Sequence, residues 1–247
     1  MNRFLWILSL GKNSCPAWPC PICRKGTLAL IPQSLIYKET VKSKRQHTDD
    51  AWDPEWIDHK FTAWAECRHP PCKQEFAITG SGGVGPEPNE SGGYEWEEYF
   101  SPMYCLPMPD MIDIPSKCPE EVKAERRESF ALFWSNRAAC AGRIRLALES
   151  LMNHLGVPKR KKEKNGKYSD LSLHARIDAF AKTKSTFGPQ LMALKWLGNA
   201  GSHSSEVSQA DLLDAFEIME HSLLEIIDKR SAKVAALAKK LTKKHGR

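Results

Sequence analysis

Long apolar runs are what this sequence most plainly lacks. The strongest, Phe4-Leu5-Trp6-Ile7-Leu8-Ser9-Leu10, falls far short of the about 20 residues that cross a bilayer. No small-residue cleavage site follows a longer apolar core, so neither a membrane span nor a secretion signal is expected. The run reads instead as a buried or partner-covered strand. Without a secretory route, the eight cysteines do not read as a disulfide framework. In a reducing compartment, the cytoplasm by default, thiols serve as metal ligands or as small buried hydrophobes. An internal repeat of fixed period is also absent, which excludes solenoid and propeller architectures.

What is present suits one large folded domain or two modest ones: 247 residues, 41% of them hydrophobic. The net charge of +6 hides a split. Residues 1–118 carry 12 Lys/Arg against 15 Asp/Glu, whereas 119–247 carry 24 against 15. The basic excess of the second half suits contact with a polyanion, and equally a solvated helical surface.

The sharpest motif is a pair of cysteine pairs. Cys20-Pro21-Ile22-Cys23 is followed by 43 residues and then Cys67-x4-Cys72. That is the spacing of a zinc ribbon: each close pair offers two thiolates to one face of a metal, and a hairpin between them closes the tetrahedron. With four protein ligands there is no open position for substrate, so the expected Zn2+ is structural. Gly26 suits the turn of the first knuckle. Cys15, five residues before Cys20, and His69, inside the second pair, are alternative ligands. Cys105, Cys118 and Cys140 have no paired spacing and read as buried small hydrophobes.

Local pattern divides the chain into three. Residues 1–80 read as a β-rich zinc-ribbon module, with strand-like runs at Thr27–Ile31 and Phe61–Ala65 and a long polar loop over 42–58. Residues 81–119, with Gly80-Ser81-Gly82-Gly83 at their start and several prolines, read as a loop and extended connector. Residues 120–247 read as an all-α bundle. Glu120 to Leu155 has no Pro and one Gly, and its apolar residues recur at helical steps. Pro158–Lys167 is a basic loop, Leu171–Lys182 a shorter helix, Gln190–Leu197 the start of another, and Asp211 onward one long amphipathic helix with a lysine-rich end. The expected class is α+β.

Within the helical part, Arg145 and Glu149 stand four apart on one helix face, and Lys195, Asn199 and His203 fall at i, i+4 and i+8 among small residues. The CPxC knuckle, the second cysteine pair, the Pro-containing connector Ile112-Asp113-Ile114-Pro115, the R-x3-E helix and the GN-x3-H element together resemble proteins of the domain-of-unknown-function 4145 family. The resemblance extends over nearly the whole chain. It implies a HEPN-like helical bundle, a class common in bacterial toxin, antiphage and RNA-processing systems and found fused to restriction subunits. Ribonucleases of that class place an arginine just before the polar residue and histidine of their catalytic element. Asn199 and His203 match those two positions, but Gly198 occupies the arginine's. The cation for a metal-independent RNA cleavage would then come from Lys195 or Arg145, with His203 moving protons.

Three functions follow. The first is a zinc-containing recognition or regulatory protein that binds RNA, DNA or a partner protein in a bacterial defence, restriction or mobile-element setting. Phosphate contacts would come from Lys159, Arg160, Lys161, Lys162 and Arg145, with Trp52, Trp56, Trp64 and Tyr94 available for base stacking. The second is a toxin-like endoribonuclease with Lys195, Asn199 and His203 at its centre, completed by a homodimer through the helical domain. The third is a structural adaptor in a larger complex, with the Pro-rich connector and the apolar N terminus as docking surfaces. In a purely structural reading of the helical motifs, Asn199 caps a helix, His203 donates to a backbone carbonyl and Arg145 with Glu149 forms an ion pair of the bundle.

Overall fold

The computed structural model describes residues 1–89, 91–183, 185–201 and 206–246. It divides into a sheet unit, Asn2–Met111, and a helical unit, Ile112–Arg247 with Met1. Fold class is α+β, and among the described residues no helix is long and apolar enough to cross a membrane.

The sheet unit opens not with the expected strand but with a single turn of 3-10 helix, Arg3–Trp6. Two indoles explain the difference: Trp6 stacks on Trp18 at 6.4 Å, and Trp18 donates its Nε1–H to the Leu5 carbonyl, which holds the segment coiled. Leu10 then exchanges backbone hydrogen bonds with Phe100. Five strands make the sheet: β1 (Leu28–Leu30), β2 (Ile36–Glu39), β3 (Asp58–Cys67), β4 (Glu75–Pro88) and β5 (Tyr94–Leu106). β3, β4 and β5 run antiparallel in sequence, while β1 and β2 lie end to end along the free edge of β3. Between them the backbone breaks at Pro32-Gln33, and the Ser34 hydroxyl serves Trp64 in place of a partner strand, accepting from its N–H and donating to its carbonyl. The expected loop over 42–58 carries a short helix, α1 (Val41–Gln46), and a 3-10 turn at Pro54–Trp56.

Residues 81–106, expected within a connector, instead complete the longest hairpin of the molecule. Glycine there does not break the strand; it lets two strands approach. A Cβ at Gly80 would strike the Ser101 carbonyl and come within 2.9 Å of the Phe61 ring. Alternation then sorts the faces. Phe61, Ala63, Ala65, Phe76, Ile78 and Phe100 are buried inward. The outer face carries the cross-strand row Ile36, Thr62, Thr79, Tyr104 beside the row Trp64, Ala77, Leu106.

The helical unit contains α2 (Glu120–Leu132), α3 (Arg137–His154), α4 (Leu173–Ala181), α5 (Gly188–Ala200), α6 (Gln209–Asp228) and α7 (Arg230–His245). The stretch read as one or two helices is two, because Asn136 takes an extended conformation and caps α3 through the Ala139 N–H. The basic stretch 158–167, expected as a loop, starts a small hairpin: β6 (Arg160–Lys162) pairs with β7 (Tyr168–Asp170). The C-terminal helix also divides. Lys229 sits at φ 51°, which ends α6 and starts α7. Apolar stripes of α3, α5 and α6 form the core, with Phe130 and Phe133 packed on Phe216 at 5.0 and 6.0 Å. α7 buries none of its side chains.

Candidate metal centre

Two knuckles build this site. In the first, the Cys20 N–H bonds to the Gly26 carbonyl and the Arg24 N–H to the Cys20 carbonyl, which folds residues 20–26 into a tight loop ahead of β1. The second is the turn between β3 and β4, where Cys67 pairs in register with Leu28 and the Cys72 N–H bonds to the His69 carbonyl. Arg24 and Lys73, each directly after the second cysteine of its pair, both adopt positive φ, at 54° and 47°. The knuckles are therefore two versions of one backbone turn. Gly26 matters for a reason beyond the turn: a Cβ there would lie 2.6 Å from Cys67 Sγ and 2.7 Å from His69 Cβ. Only a residue without a side chain lets the first loop close on the second.

The four sulfurs of Cys20, Cys23, Cys67 and Cys72 all lie within 4.8 Å of one another. Cys20 Sγ is 3.8 Å from Cys72 Sγ, and Cys23 Sγ is 3.6 Å from Cys67 Sγ. A tetrahedron with metal–sulfur bonds of about 2.3 Å has edges of about 3.8 Å. The Cys20–Cys72 and Cys23–Cys67 edges match that length, and the donor set suits a four-coordinate thiophilic ion. Among the described residues, Cys15 and His69 are not members of the cluster; the Cys15 thiol faces the Pro16 carbonyl at 3.4 Å.

Backbone donors prepare the sulfurs for negative charge. The Lys25 N–H points at Cys23 Sγ and the His69 N–H at Cys67 Sγ. The first of these, helped by the Gly26 N–H, pulls the Cys23 thiol down to about 6. Burial pushes its neighbour Cys67 the other way, up to about 12. A pair driven in opposite directions at 3.6 Å is what a cation reconciles, since a bound metal ion removes the cost of burying thiolate. Cys105, Cys118 and Cys140 are buried, as their lack of pairing suggests.

The remaining residues singled out in the sequence fall in the helical unit. His203 lies outside the described residues. Asn199 and Lys195 share one face near the end of α5; Lys195 is buried, its ammonium 3.2 Å from the centre of the Trp196 ring. Gly198 is where α5 crosses α3: a Cβ there would strike Arg145 Cβ and reach 3.0 Å from the Ala141 carbonyl. The stem of Arg145 therefore occupies the space that an arginine at 198 would need. The Arg145 head pairs with Glu149 at 3.0 Å. Arg145 and Lys159 line one cavity of about 370 Å³, whereas Arg160 and Lys161 are exposed and paired with Asp170 and Glu163. Sequence reasoning missed Arg176, Asn153 and Asp170, which line the same cavity; no spacing rule connects them.

The molecule is thus a sheet unit with a four-thiol cluster suited to a metal ion, followed by a helical domain. The helical part matches a known family model: residues 127–244 match the one described as Domain of unknown function (DUF4145). Residues 8–105 match a different one, Domain of unknown function (DUF8608). The cysteine knuckles fall within the second match, so the resemblance to the first extends over the helices rather than nearly the whole chain. No curated protein and no solved structure matches.

Proposed function

We propose that this is a zinc-stapled recognition protein that binds single-stranded nucleic acid on the outer face of its sheet. The observation that carries the reading is that face. Trp64 and Tyr104 lie on it 49% and 54% exposed, with Ile36 and Leu106 exposed beside them. Lys38 and Lys60, paired across β2 and β3, border the rows. Exposed aromatic rings on a sheet stack on unpaired bases of any sequence, and lysines at the border meet the backbone. A contiguous apolar patch of this kind marks a contact surface. In this reading the ion is structural Zn2+, which fixes the β3–β4 turn and with it the register that aligns Trp64 with Tyr104. The family resemblance supplies the setting, a bacterial defence or mobile-element system in which such a protein recognises and does not cut. The position of Gly198, filled around by Arg145, supports the non-nucleolytic reading.

The test is titration of the zinc-loaded protein with fluorescent single-stranded RNA and DNA and with duplex competitor, comparing wild type with Trp64→Ala and Tyr104→Ala. Stacking contributes about 1–3 kcal/mol per base, so each variant should weaken binding roughly 5- to 150-fold while far-UV ellipticity stays unchanged. Binding unaffected by both substitutions, or none by wild type, overturns the reading.

A further inference from the structure

We infer that the cavity between α3, the β6–β7 hairpin and the start of α4 binds a small phosphate monoester with a hydroxylated body, a nucleoside or sugar monophosphate. It lies wholly in the helical unit, and the inference does not rest on the nucleic-acid reading of the sheet. The walls come from separate elements. Arg145 and Glu149 stand on α3, Lys159 precedes β6, Asp170 ends β7, and Arg176 stands on α4. The Leu171 N–H bonds to the Lys159 carbonyl, which brings Lys159 beside the α4 N-terminus.

Arg176 is the central observation. It is only 6% exposed, and a guanidinium so buried ordinarily has its donors satisfied. Both of its hydrogen bonds leave from Nη2, to Asn153 Oδ1 at 2.8 Å and the Val157 carbonyl at 3.1 Å. Its Nε–H is buried with no partner, as is that of Arg145. Burial lowers the Arg176 pKa and the Glu149 charge opposes the shift. Leu171, Ser172 and Leu173 at the start of α4 also line the cavity. The Ser172 hydroxyl caps the Ala175 N–H, and the first N–H groups of a helix have no partner within it.

Charge and size narrow the ligand. The lining holds three basic and two acidic side chains, and Asp170 is paired with Arg160 from outside it at 2.6 Å. Counting that partner leaves two positive charges, which a monoester dianion neutralises. Glu149, Asn153 and Asp170 offer acceptors for hydroxyl groups, and no aromatic side chain lines the cavity. At about 370 Å³ it stands near the lower end of small-molecule sites, about 300–1,000 Å³, large enough for one monophosphate.

Calorimetry on the full chain with adenosine 5′-monophosphate, glucose 6-phosphate, adenosine, glucose and inorganic phosphate tests this and separates the two sources of monoester. The expected result is saturable binding of at least one monoester, none of the unphosphorylated bodies, and weaker binding of inorganic phosphate. Lys159→Gln, at an exposed position that leaves the fold intact, and Arg145→Lys, which keeps the stem over Gly198, should each weaken binding on the order of tenfold. No binding of either monoester at millimolar concentration overturns the inference. So does equal binding of adenosine or of inorganic phosphate, or affinity unchanged in both variants.

Discussion

Removing the ion from the thiolates of Cys20, Cys23, Cys67 and Cys72 should unfold the sheet unit and leave the helical unit standing. Globular domains are stable by about 0.05–0.15 kcal/mol per residue, so a unit spanning Asn2–Met111 is worth roughly 5–16 kcal/mol. Structural zinc in small thiolate sites contributes an apparent 10–16 kcal/mol near neutral pH, roughly as much as the whole. Without it, the two knuckles also keep the costs of Arg24 and Lys73 at positive φ, about 1–2 kcal/mol each. The chain supplies its own probes: six of eight tryptophans, Trp6, Trp18, Trp52, Trp56, Trp64 and Trp96, fall in the sheet unit. Titrating a strong chelator should release one equivalent of zinc and shift the emission to the red. Ellipticity at 222 nm, dominated by α2 to α7, should fall only slightly. An emission spectrum unchanged after the metal has been shown to leave would refute this energetic account, and protein purified without bound metal would refute the site itself.

Two further outcomes are expected. Gly198→Arg, which places an arginine where HEPN ribonucleases carry one, should lower the 222 nm melting temperature by several degrees, because its Cβ meets Arg145 and Ala141 and overpacking costs about 1–3 kcal/mol; a melt like that of wild type would disprove the close crossing of α3 and α5. Burial raises the thiols of Cys105 to about 12 and Cys118 to about 11, so both should resist a disulfide reagent at pH 8 in the native state. Above the free-thiol value of about 8.5 the unfolded chain loses protons that the folded chain keeps, so stability should fall as pH rises from there toward 11–12. Denaturant midpoints at pH 8 and 10 measure this; Cys118 labelling as fast as an unfolded thiol would contradict it.

The four-cysteine cluster was legible because thiolate coordination imposes its spacing on the chain directly: two close pairs and a hairpin are visible without coordinates. Helices were legible for the same reason, through the periodic burial of residues such as Ile144, Leu148 and Leu151. The β4–β5 hairpin was not. Its glycines are there to admit a neighbouring strand, and a neighbour far along the chain leaves no local trace, so Gly80 to Gly83 looked like a break. The 3-10 turn at the start was hidden similarly, since the Trp6–Trp18 stack that coils it joins two separate motifs. The cavity around Arg176 was the least visible part, because its walls are separate in sequence and each basic residue taken alone resembles a solvated one. Gly198 shows an intermediate case: the departure from the family pattern was plain, and its cause, the stem of Arg145, was not.

The knuckles also have a topological effect. A metal joining Cys20 and Cys23 to Cys67 and Cys72 turns the 43 residues between the inner cysteines, which hold β1, β2 and α1, into a closed ring. A protease cut in the exposed stretch around Lys44 to Asp50 would open that ring without separating its halves, since each fragment keeps two of the four thiolates. The nicked molecule would travel as one particle until the ion is withdrawn, and only then come apart.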